Sequence, residues 1–534
     1  REPSPVSSSL KNISVVSAAT MVSRVLGLVR DSLTAAVFGA SALASAFYTA
    51  FTLPNLFRRL LGEGALTAAF IPVLTEEARV GGPAQAHRLV SQVASWLLAA
   101  TGLIVAVAMG LLTLAPQLLS LAGSHGPAGE TAARWLLAAE LAVWLFPYLI
   151  FVCLAAAFSA ALQTFNRFLE PALSPIWLNC AMIGLLAFSA TRHADAAPIE
   201  HMRWLCGGVL IGGFLQMLVP ALALRRLGWQ PRLDLSASPR VRTIIGLMGP
   251  TVFGSAIYLI NLAVSRLVGL SLDDASVTLL NLATRLMELP IGVFAVAVTT
   301  VVFPLISRHA AAGEWDDLAR AYRRGMRLIL AVNIPAAVGL ALLASPLIRV
   351  LFQRGAFSAA DTAAMAPVLA VFAAGLPFLS FVNLALRAFY ARQDTRTPVH
   401  AALLSFAVNL ALSLALMEPA GTFGLAIAGT VSTGVQAWFL QSRLTRLQPG
   451  LAFHHLFADA ARIVIASGLM GLTVLGWQTV LPAPGSLGAD VRLSLIAIGT
   501  AVPLYGALLW MLRFEGRTEA IETLRAALAR RRSP

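Results

Sequence analysis

The sequence predicts an all-α polytopic membrane protein of about fourteen transmembrane helices, arranged as two six-helix lobes followed by two further C-terminal helices. Three observations predict it. Of 534 residues, 58% are hydrophobic and only 12% charged, whereas soluble domains carry roughly 45–50% apolar and about 25% charged residues. The apolar excess comes in blocks of roughly 20 residues, the length a helix needs to cross about 30 Å of hydrocarbon. Period-2 alternation in short segments, the mark of a membrane β-barrel, is absent.

In order, the blocks predict spans over 12–38, 43–61, 88–114, 131–162, 169–190, 203–224 and 243–270, then 276–306, 325–345, 362–391, 398–417, 421–442, 458–480 and 491–512. Polar residues interrupt the 43–61 and 398–417 blocks. The link from Glu63 to Glu77 carries Leu66, Ala69, Phe70, Val73 and Leu74 at helical spacing. An interfacial amphipathic helix fits that pattern, with an ordinary loop as the alternative. The sequence opens Arg1-Glu2-Pro3-Ser4-Pro5 without a signal-peptide pattern, so the first span is expected to insert and stay.

The halves repeat. Phe70-Ile71-Pro72-Val73-Leu74 with Gly81 matches Val302-Phe303-Pro304-Leu305-Ile306 with Gly313 at an offset of 232. Pro147 and Gln163 match Pro377 and Gln393 at an offset of 230. Six spans per repeat is even, so both repeats share one membrane orientation. Such a parallel repeat is a transporter architecture with its site near the midplane; chance similarity between apolar helices is the alternative. The implied division is a tail over 1–11, a first lobe over 12–226 and a linker over 227–242. A second lobe over 243–445, helices 13 and 14 over 446–512, and a basic tail over 513–534 complete it.

Charge orients the chain. With the N-terminus cytoplasmic, 28 of the 39 basic residues fall in cytoplasmic loops and tails, and both termini lie on that side. Opposite loops hold six: Arg134, Arg192, Arg203, Arg349, Arg354 and Arg492. This is the positive-inside bias, and it accounts for the net charge of +14 without nucleic acid. The Arg525–Arg532 tail fits a solvated helix end that fixes topology, or contact with anionic lipid. Cys153, Cys180 and Cys206 lie in or at the edges of apolar spans and read as packing residues.

With the arginines at span ends, Arg58, Arg59, Arg327 and Arg462 among them, counted with the adjoining loops, five basic residues, Arg24, Arg30, Arg266, Arg285 and Arg387, remain inside predicted spans. An arginine at the bilayer centre costs about 2.5–3.5 kcal/mol on insertion scales, so it is kept where it faces a cavity or a partner. Arg24, Ser23, Gly27, Arg30 and Asp31 share one motif, in which Asp31 lies seven residues from Arg24 on nearly the same helix face. Arg58 and Arg59 end the second span, with Glu63 one turn beyond Arg59. In the second half Arg285 precedes Glu288 by three residues. Guanidinium forks bind phosphate oxygens bidentately and do not lose their proton, so Arg24, Arg30 and Arg285 read as a cationic cavity. Arg58 is either part of it or a positive-inside anchor. Arg266 and Arg387, near span ends, read as snorkelling residues. Asn261 and Asn409 fit cation coordination or helix packing, packing being favoured.

Enzyme signals are nearly absent. The single lysine, Lys11, rules out a Gly-x-x-x-x-Gly-Lys-Ser/Thr phosphate loop. His454-His455 is poor metal geometry, and Asp273-Asp274 reads as a helix cap; no metal site is assigned.

Ser23-Arg24-Val25-Leu26-Gly27-Leu28-Val29-Arg30-Asp31, Leu53-Pro54-Asn55-Leu56-Phe57-Arg58-Arg59 and Glu63-Gly64-Ala65 closely resemble the MurJ (MviN) family of lipid II flippases. Arg285 to Pro290 and Phe389 to Pro398 match its second lobe. The resemblance runs in order through nearly the whole chain. It implies the fold of the MOP exporter superfamily, to which the MATE transporters also belong, and a multi-pass protein of the bacterial cytoplasmic membrane. It further implies flipping of lipid II, an undecaprenyl-pyrophosphate-linked disaccharide peptide, from the inner to the outer leaflet by alternating access. The family's functional arginines carry over onto Arg24, Arg30, Arg58 and Arg285, its functional acids onto Asp31 and Glu63. Ser23 and Glu288 are expected to support them, and helices 13 and 14 to form a groove for the lipid tail.

The chain departs from the family at Ser45, where many members carry Asp. It departs again at Ser413, where some members place a sodium-binding Asp one turn after an Asn. No cofactor is called for; coupling to the membrane potential or to a monovalent cation stays open. Lipid II and membrane lipids are the expected partners of a monomer. The rivals are a MOP exporter of another polyprenyl-linked saccharide or of a cationic drug, a polyprenyl-phosphate membrane enzyme, and a non-transporting scaffold.

Overall fold

The computed structural model describes residues 5–58, 66–117, 127–290, 296–481 and 486–514, and among them every regular element is helical. Hydrocarbon offers no water to unpaired backbone groups, and a helix satisfies its own. Eight described helices are long and apolar enough to cross a membrane, and a ninth span arises where two helices meet at a bend. Glu63, Arg59 and the Arg525–Arg532 tail lie outside the described residues.

The chain divides into two compact units, Arg1–Thr278 with Gly355–Phe357, and Leu279–Arg354 with Ser358–Pro534. The first holds α1 (Pro5–Phe38), α2 (Ala42–Phe57), α3 (Thr67–Val80), α4 (Gly82–Thr113), α5 (Pro127–Leu145), α6 (Tyr148–Thr164), α7 (Leu169–Arg192), α8 (Pro198–Arg226) and α9 (Pro239–Leu272). The predicted 131–162 span is α5 and α6, bent by 46°. Pro147 lies at the bend, where it has no N–H to donate and its ring obstructs the preceding turn. The link after α2 does form a helix, α3, but Leu66, Phe70 and Leu74 on its apolar face are fully buried. They pack on α4 and α6 with Leu89, Val93 and Phe158. The face expected to lie on lipid is therefore covered by protein.

Small residues let α8 approach two neighbours at once. A Cβ on Gly212 would lie 2.8 Å from the α7 backbone at Leu178, and one on Gly213 would lie 2.5 Å from the α6 ring of Tyr148. The turn between α9 and the next helix is capped as Asp273 suggests. Its carboxylate accepts the N–H groups of Ala275 and Ser276 at 2.8 and 2.6 Å.

The remaining helices are α10 (Ser276–Pro290), α11 (Val296–Ala312), α12 (Trp315–Leu342), α13 (Ala344–Leu351), α14 (Ala359–Ala391), α15 (Arg396–Leu447), α16 (Phe457–Val480) and α17 (Leu487–Met511). As one rod, the 52 residues of α15 would reach roughly 78 Å. Gly421 breaks it, with φ +56° and ψ −139°, so it supplies the two spans predicted over 398–417 and 421–442.

The sequence repeat reappears as repeated turns, with shifted partners. Asn166 after α6 and Gln393 after α14 are both left-handed, φ +58° and +59°. Each is followed by an N–H that bonds back to the helix, Arg167 to the Leu162 carbonyl and Asp394 to that of Phe389. Gln393 thus corresponds to Asn166 rather than to Gln163. Likewise left-handed Gly313 (φ +72°) corresponds to Gly82 (φ +77°) rather than to Gly81. A left-handed residue is placed by the end of its helix, not by the identity of a nearby side chain.

In the second unit two buried carboxylates tie α16 and α17 to their neighbours. Asp459 on α16 meets Arg327 of α12 at 2.6 Å and Arg462 at 3.0 Å. Asp490 on α17 receives both Nε and Nη2 of Arg349 at 2.8 Å, the bidentate arrangement that suits a guanidinium. At the start of α15, Asp394 accepts the N–H groups of Arg396 and Thr397 at 3.0 Å.

Two predictions follow from these carboxylates. Asp490→Ala leaves the largely covered guanidinium of Arg349 without its carboxylate and should cost about 1–3 kcal/mol, seen as a lower melting temperature in detergent. The pair Arg349→Met with Asp490→Leu should recover most of that loss. Asp394→Ala should cost about 0.5–2 kcal/mol as a lost cap. Burial alone would raise the Asp394 carboxyl, but bonds from Thr397 and Arg396 and the charge of Arg392 hold it below its ordinary value. A depressed carboxyl stabilises the fold above the unfolded value of 3.8 and stops doing so as pH falls through the lowered one. The melting difference between wild type and Asp394→Ala should therefore be level from neutral pH down to about 5 and shrink below about 4.

Candidate functional site

An arginine is stable inside a span only if protein groups replace its water. Arg30, on α1, has such groups. Its Nε and Nη2 donate to one oxygen of Asp31 at 3.0 and 2.7 Å, and its Nη1 donates to Asn179 Oδ1 on α7 at 3.0 Å. The Arg30 side chain is 11% exposed and Asp31 is fully enclosed. Adjacent helix residues normally diverge, so the pair closes only because the long guanidinium arm folds back around the helix. Asp31, expected to share a face with Arg24, is thus the partner of Arg30.

Asn179 does more than receive Arg30. Its Nδ2 donates to the Ser23 carbonyl at 3.2 Å, and Gly27 lies between these two contacts with room for the amide to approach. One amide from α7 therefore grips both ends of the Ser23–Asp31 motif. A guanidinium has five N–H donors. Three are engaged by Asp31 and Asn179, which leaves two for an outside oxyanion among the described contacts.

Arg58 caps α2, its Nε donating to Asn55 Oδ1 at 3.1 Å. Asn55 in turn donates to the Phe51 carbonyl at 3.0 Å. The phenol of Tyr148 on α6 packs its ring against Phe51 of α2, the centroids 5.7 Å apart. That hydroxyl donates to Gln216 of α8 at 3.2 Å, and Gln216 donates to the Ser174 carbonyl at 3.1 Å. Within the first unit, then, α1, α2, α6, α7 and α8 share a band of polar groups inside otherwise apolar helices. Arg24 is half-buried on α1 and has no ionic or hydrogen-bond partner among the described residues.

Ser45, one of the two positions where the chain departs from the family pattern, is fully buried. Its Oγ donates to the Asp274 carbonyl at 2.6 Å and accepts the Thr278 N–H at 3.2 Å. A hydroxyl suits that pair of roles, since it donates and accepts; an ionised carboxylate could not donate.

In the second unit Arg285 pairs with Glu288 at 3.2 Å, and both are substantially exposed. Asn409 is buried on α15, and Asn261 is half-buried on α9. Arg266 donates to the Val277 carbonyl at 3.2 Å, a local tie close to the end of α9. Glu63 lies outside the described residues. Among the described residues one grouping could hold a metal, His309, Glu314 and Asp317 at the α11–α12 turn. His309 is already bonded to Glu314 and Asp317 to Arg320. Cys153 and Cys206 are buried, Cys180 is exposed, and all three are free.

Sequence reasoning missed Asn179, Tyr148 and Gln216. Asn179 had a readable signal, a lone amide within Ile176-Trp177-Leu178-Asn179-Cys180-Ala181. Tyr148 and Gln216 are amphipathic enough to pass for packing.

The family model described as "Lipid II flippase MurJ" matches residues 34–495. A probable lipid II flippase MurJ of Rhizobium tropici is 32% identical over 483 residues, covering 90% of this chain and 89% of the relative. The lipid II flippase MurJ of Burkholderia cenocepacia is 29% identical over 516 residues, covering 94% and 96%. A solved lipid II flippase MurJ in an inward closed conformation superposes with a TM-score of 0.74 at 25% identity, covering 93% of this chain and 99% of that one. A multidrug resistance MATE family transporter of the MOP superfamily reaches 0.62 at 14% identity, covering 82% and 98%; that likeness concerns the fold alone.

Asn179→Leu keeps the volume and removes both amide bonds. A hydrogen bond to a charged group is worth about 1.5–3 kcal/mol, so the variant should lose about that much stability. A lower melting temperature of the detergent-purified protein measures it, with an unchanged helical circular dichroism spectrum as the control.

Proposed function

Because the chain belongs to the lipid II flippase MurJ family, we propose that it flips lipid II from the inner to the outer leaflet of the cytoplasmic membrane by alternating access. It is a multi-pass membrane transporter and not an enzyme; no bond is made or broken. Arg24, Arg30, Arg58 and Arg285 bind the pyrophosphate, the sugar–peptide headgroup fills a polar cavity, and the prenyl tail stays in lipid.

The observation that carries this reading is the state of Arg30. Its charge is enclosed by Asp31 and Asn179, yet two of its donors remain for an oxyanion. Asp31 also offsets part of the positive charge, which moderates affinity and favours release. Ser23 and Asn179 hold the α1 motif in register, and Glu288 plays toward Arg285 the part that Asp31 plays toward Arg30. Glu63 belongs to the same set by the family motif. A drug-cation exporter would want unpaired carboxylates where this chain carries guanidinium groups. The basic loops support cytoplasmic placement of both chain ends, and the protein works as a monomer.

Arg24→Ala and Arg285→Ala should each abolish lipid II translocation while membrane insertion and expression stay at wild-type level. Complementation of a flippase-depleted strain reads this out, with leaflet-resolved labelling of lipid II. Full growth with both variants would overturn the assignment.

A further inference from the structure

Residues 229–238 lead from α8 into α9. They run as a strap along α4. Trp229 is buried and its indole N–H donates to Ser91 Oγ at 3.0 Å. Farther along, the Asp234 N–H donates to Ser95 Oγ at 3.0 Å, and Ser95 Oγ in turn donates to the Arg232 carbonyl at 3.4 Å. The strap then returns. Gln92 Nε2 donates to Ser236 Oγ at 2.7 Å, and Ser238 Oγ donates to Gln92 Oε1 at 2.8 Å. The apex of the strap is therefore level with Ser95, deeper along α4 than either of its ends.

That level is set by α4 itself. Arg88 is its last charged residue; the 25 residues from Leu89 to Thr113 carry none. They make roughly 37 Å of helix against about 30 Å of hydrocarbon, so the apolar boundary falls within about two turns of Arg88. Ser95 is two turns past it, and Trp96 beside it is a partly exposed aromatic of the kind that marks a membrane interface.

At the apex the polar side of the strap is consumed by α4. Asp234 takes Arg88 Nε at 3.1 Å and Gln92 Nε2 at 3.2 Å. Leu233 and Leu235, on either side of Asp234, stand 82% and 55% exposed. Two such leucines in water would each forgo about 1.5–3 kcal/mol of burial. Arg88 and Arg232 are both exposed beside them. We propose that residues 232–236 are a membrane-inserted hook, with Leu233 and Leu235 among the acyl chains and the two arginines at the phospholipid phosphates. In the orientation proposed above this is the cytoplasmic leaflet, but the inference does not depend on the substrate. The hook fixes the depth at which α9 enters the bilayer.

The test is electron paramagnetic resonance of nitroxides at Leu233→Cys and Leu235→Cys, with Cys180→Ala as the background. The full chain is reconstituted in phosphatidylethanolamine–phosphatidylglycerol vesicles. Leu103→Cys, midway along α4, is the lipid control and Asp195→Cys, in the α7–α8 turn, the aqueous one. Collisions with oxygen should exceed those with a water-soluble nickel chelate several-fold at 233 and 235, as at 103. A nickel preference like that at 195 would place the strap in water and overturn the proposal. Low access to both reagents would mean that protein covers the leucines, and would overturn it equally. Because both side chains are exposed, labelling does not threaten the fold.

Discussion

A charge in hydrocarbon must be given back, by protein groups, the interactions it had in water. Arg30 shows how closely that condition binds the first unit together. Three of its five donors are met by the neighbouring carboxylate of Asp31 and by Asn179 from another helix. Asn179 can reach only because α7 lies against α1 beside Gly27. α7 in turn is held by α8, whose Gly208 and Gly212 approach the α7 backbone more closely than a side chain would permit. The second glycine of the Gly212–Gly213 pair admits Tyr148, and Tyr148 joins the same polar band through Gln216. Apolar close packing is thus what delivers the polar partners, and the buried arginine is what makes that packing specific.

The second unit uses the same rule for a different end. Asp459 and Asp490 are buried carboxylates, each with an arginine partner from another helix, α12 and α13 respectively. Ion pairs of this kind add little net stability relative to apolar packing, but they penalise any displacement that separates them. Here they attach α16 and α17, the two helices outside the repeat, to the body of their unit. The Arg285–Glu288 pair differs, being more exposed and confined to one helix. Such a pair is screened by solvent and weak.

Ser45 illustrates how a departure from a family pattern acquires a physical reading. It serves a carbonyl as a donor and an amide as an acceptor inside a sealed turn. A carboxylate in that place would need a proton or a different turn. α3 gives the opposite lesson. Its helical spacing was plain, but periodicity reports only that one face is apolar, and the same face satisfies lipid or protein equally well. The repeat offsets were read from matching prolines and glutamines, while the turns that recur pair Asn166 with Gln393 and Gly82 with Gly313.

Composition and the spacing of apolar blocks determined on their own that the chain is helical and crosses the membrane many times. Each span must bury about 20 consecutive residues in lipid, a local requirement written along the chain. The anomalous arginines were legible for the same reason, since a charge in such a block stands out wherever it points. Their partners were not legible. Asn179 lies 149 residues from Arg30, and whether an amide in an apolar helix meets a guanidinium, a carbonyl or lipid depends on which helices touch and at what rotation. Only tertiary structure decides that, because one more turn of a helix changes the neighbour without changing the pattern.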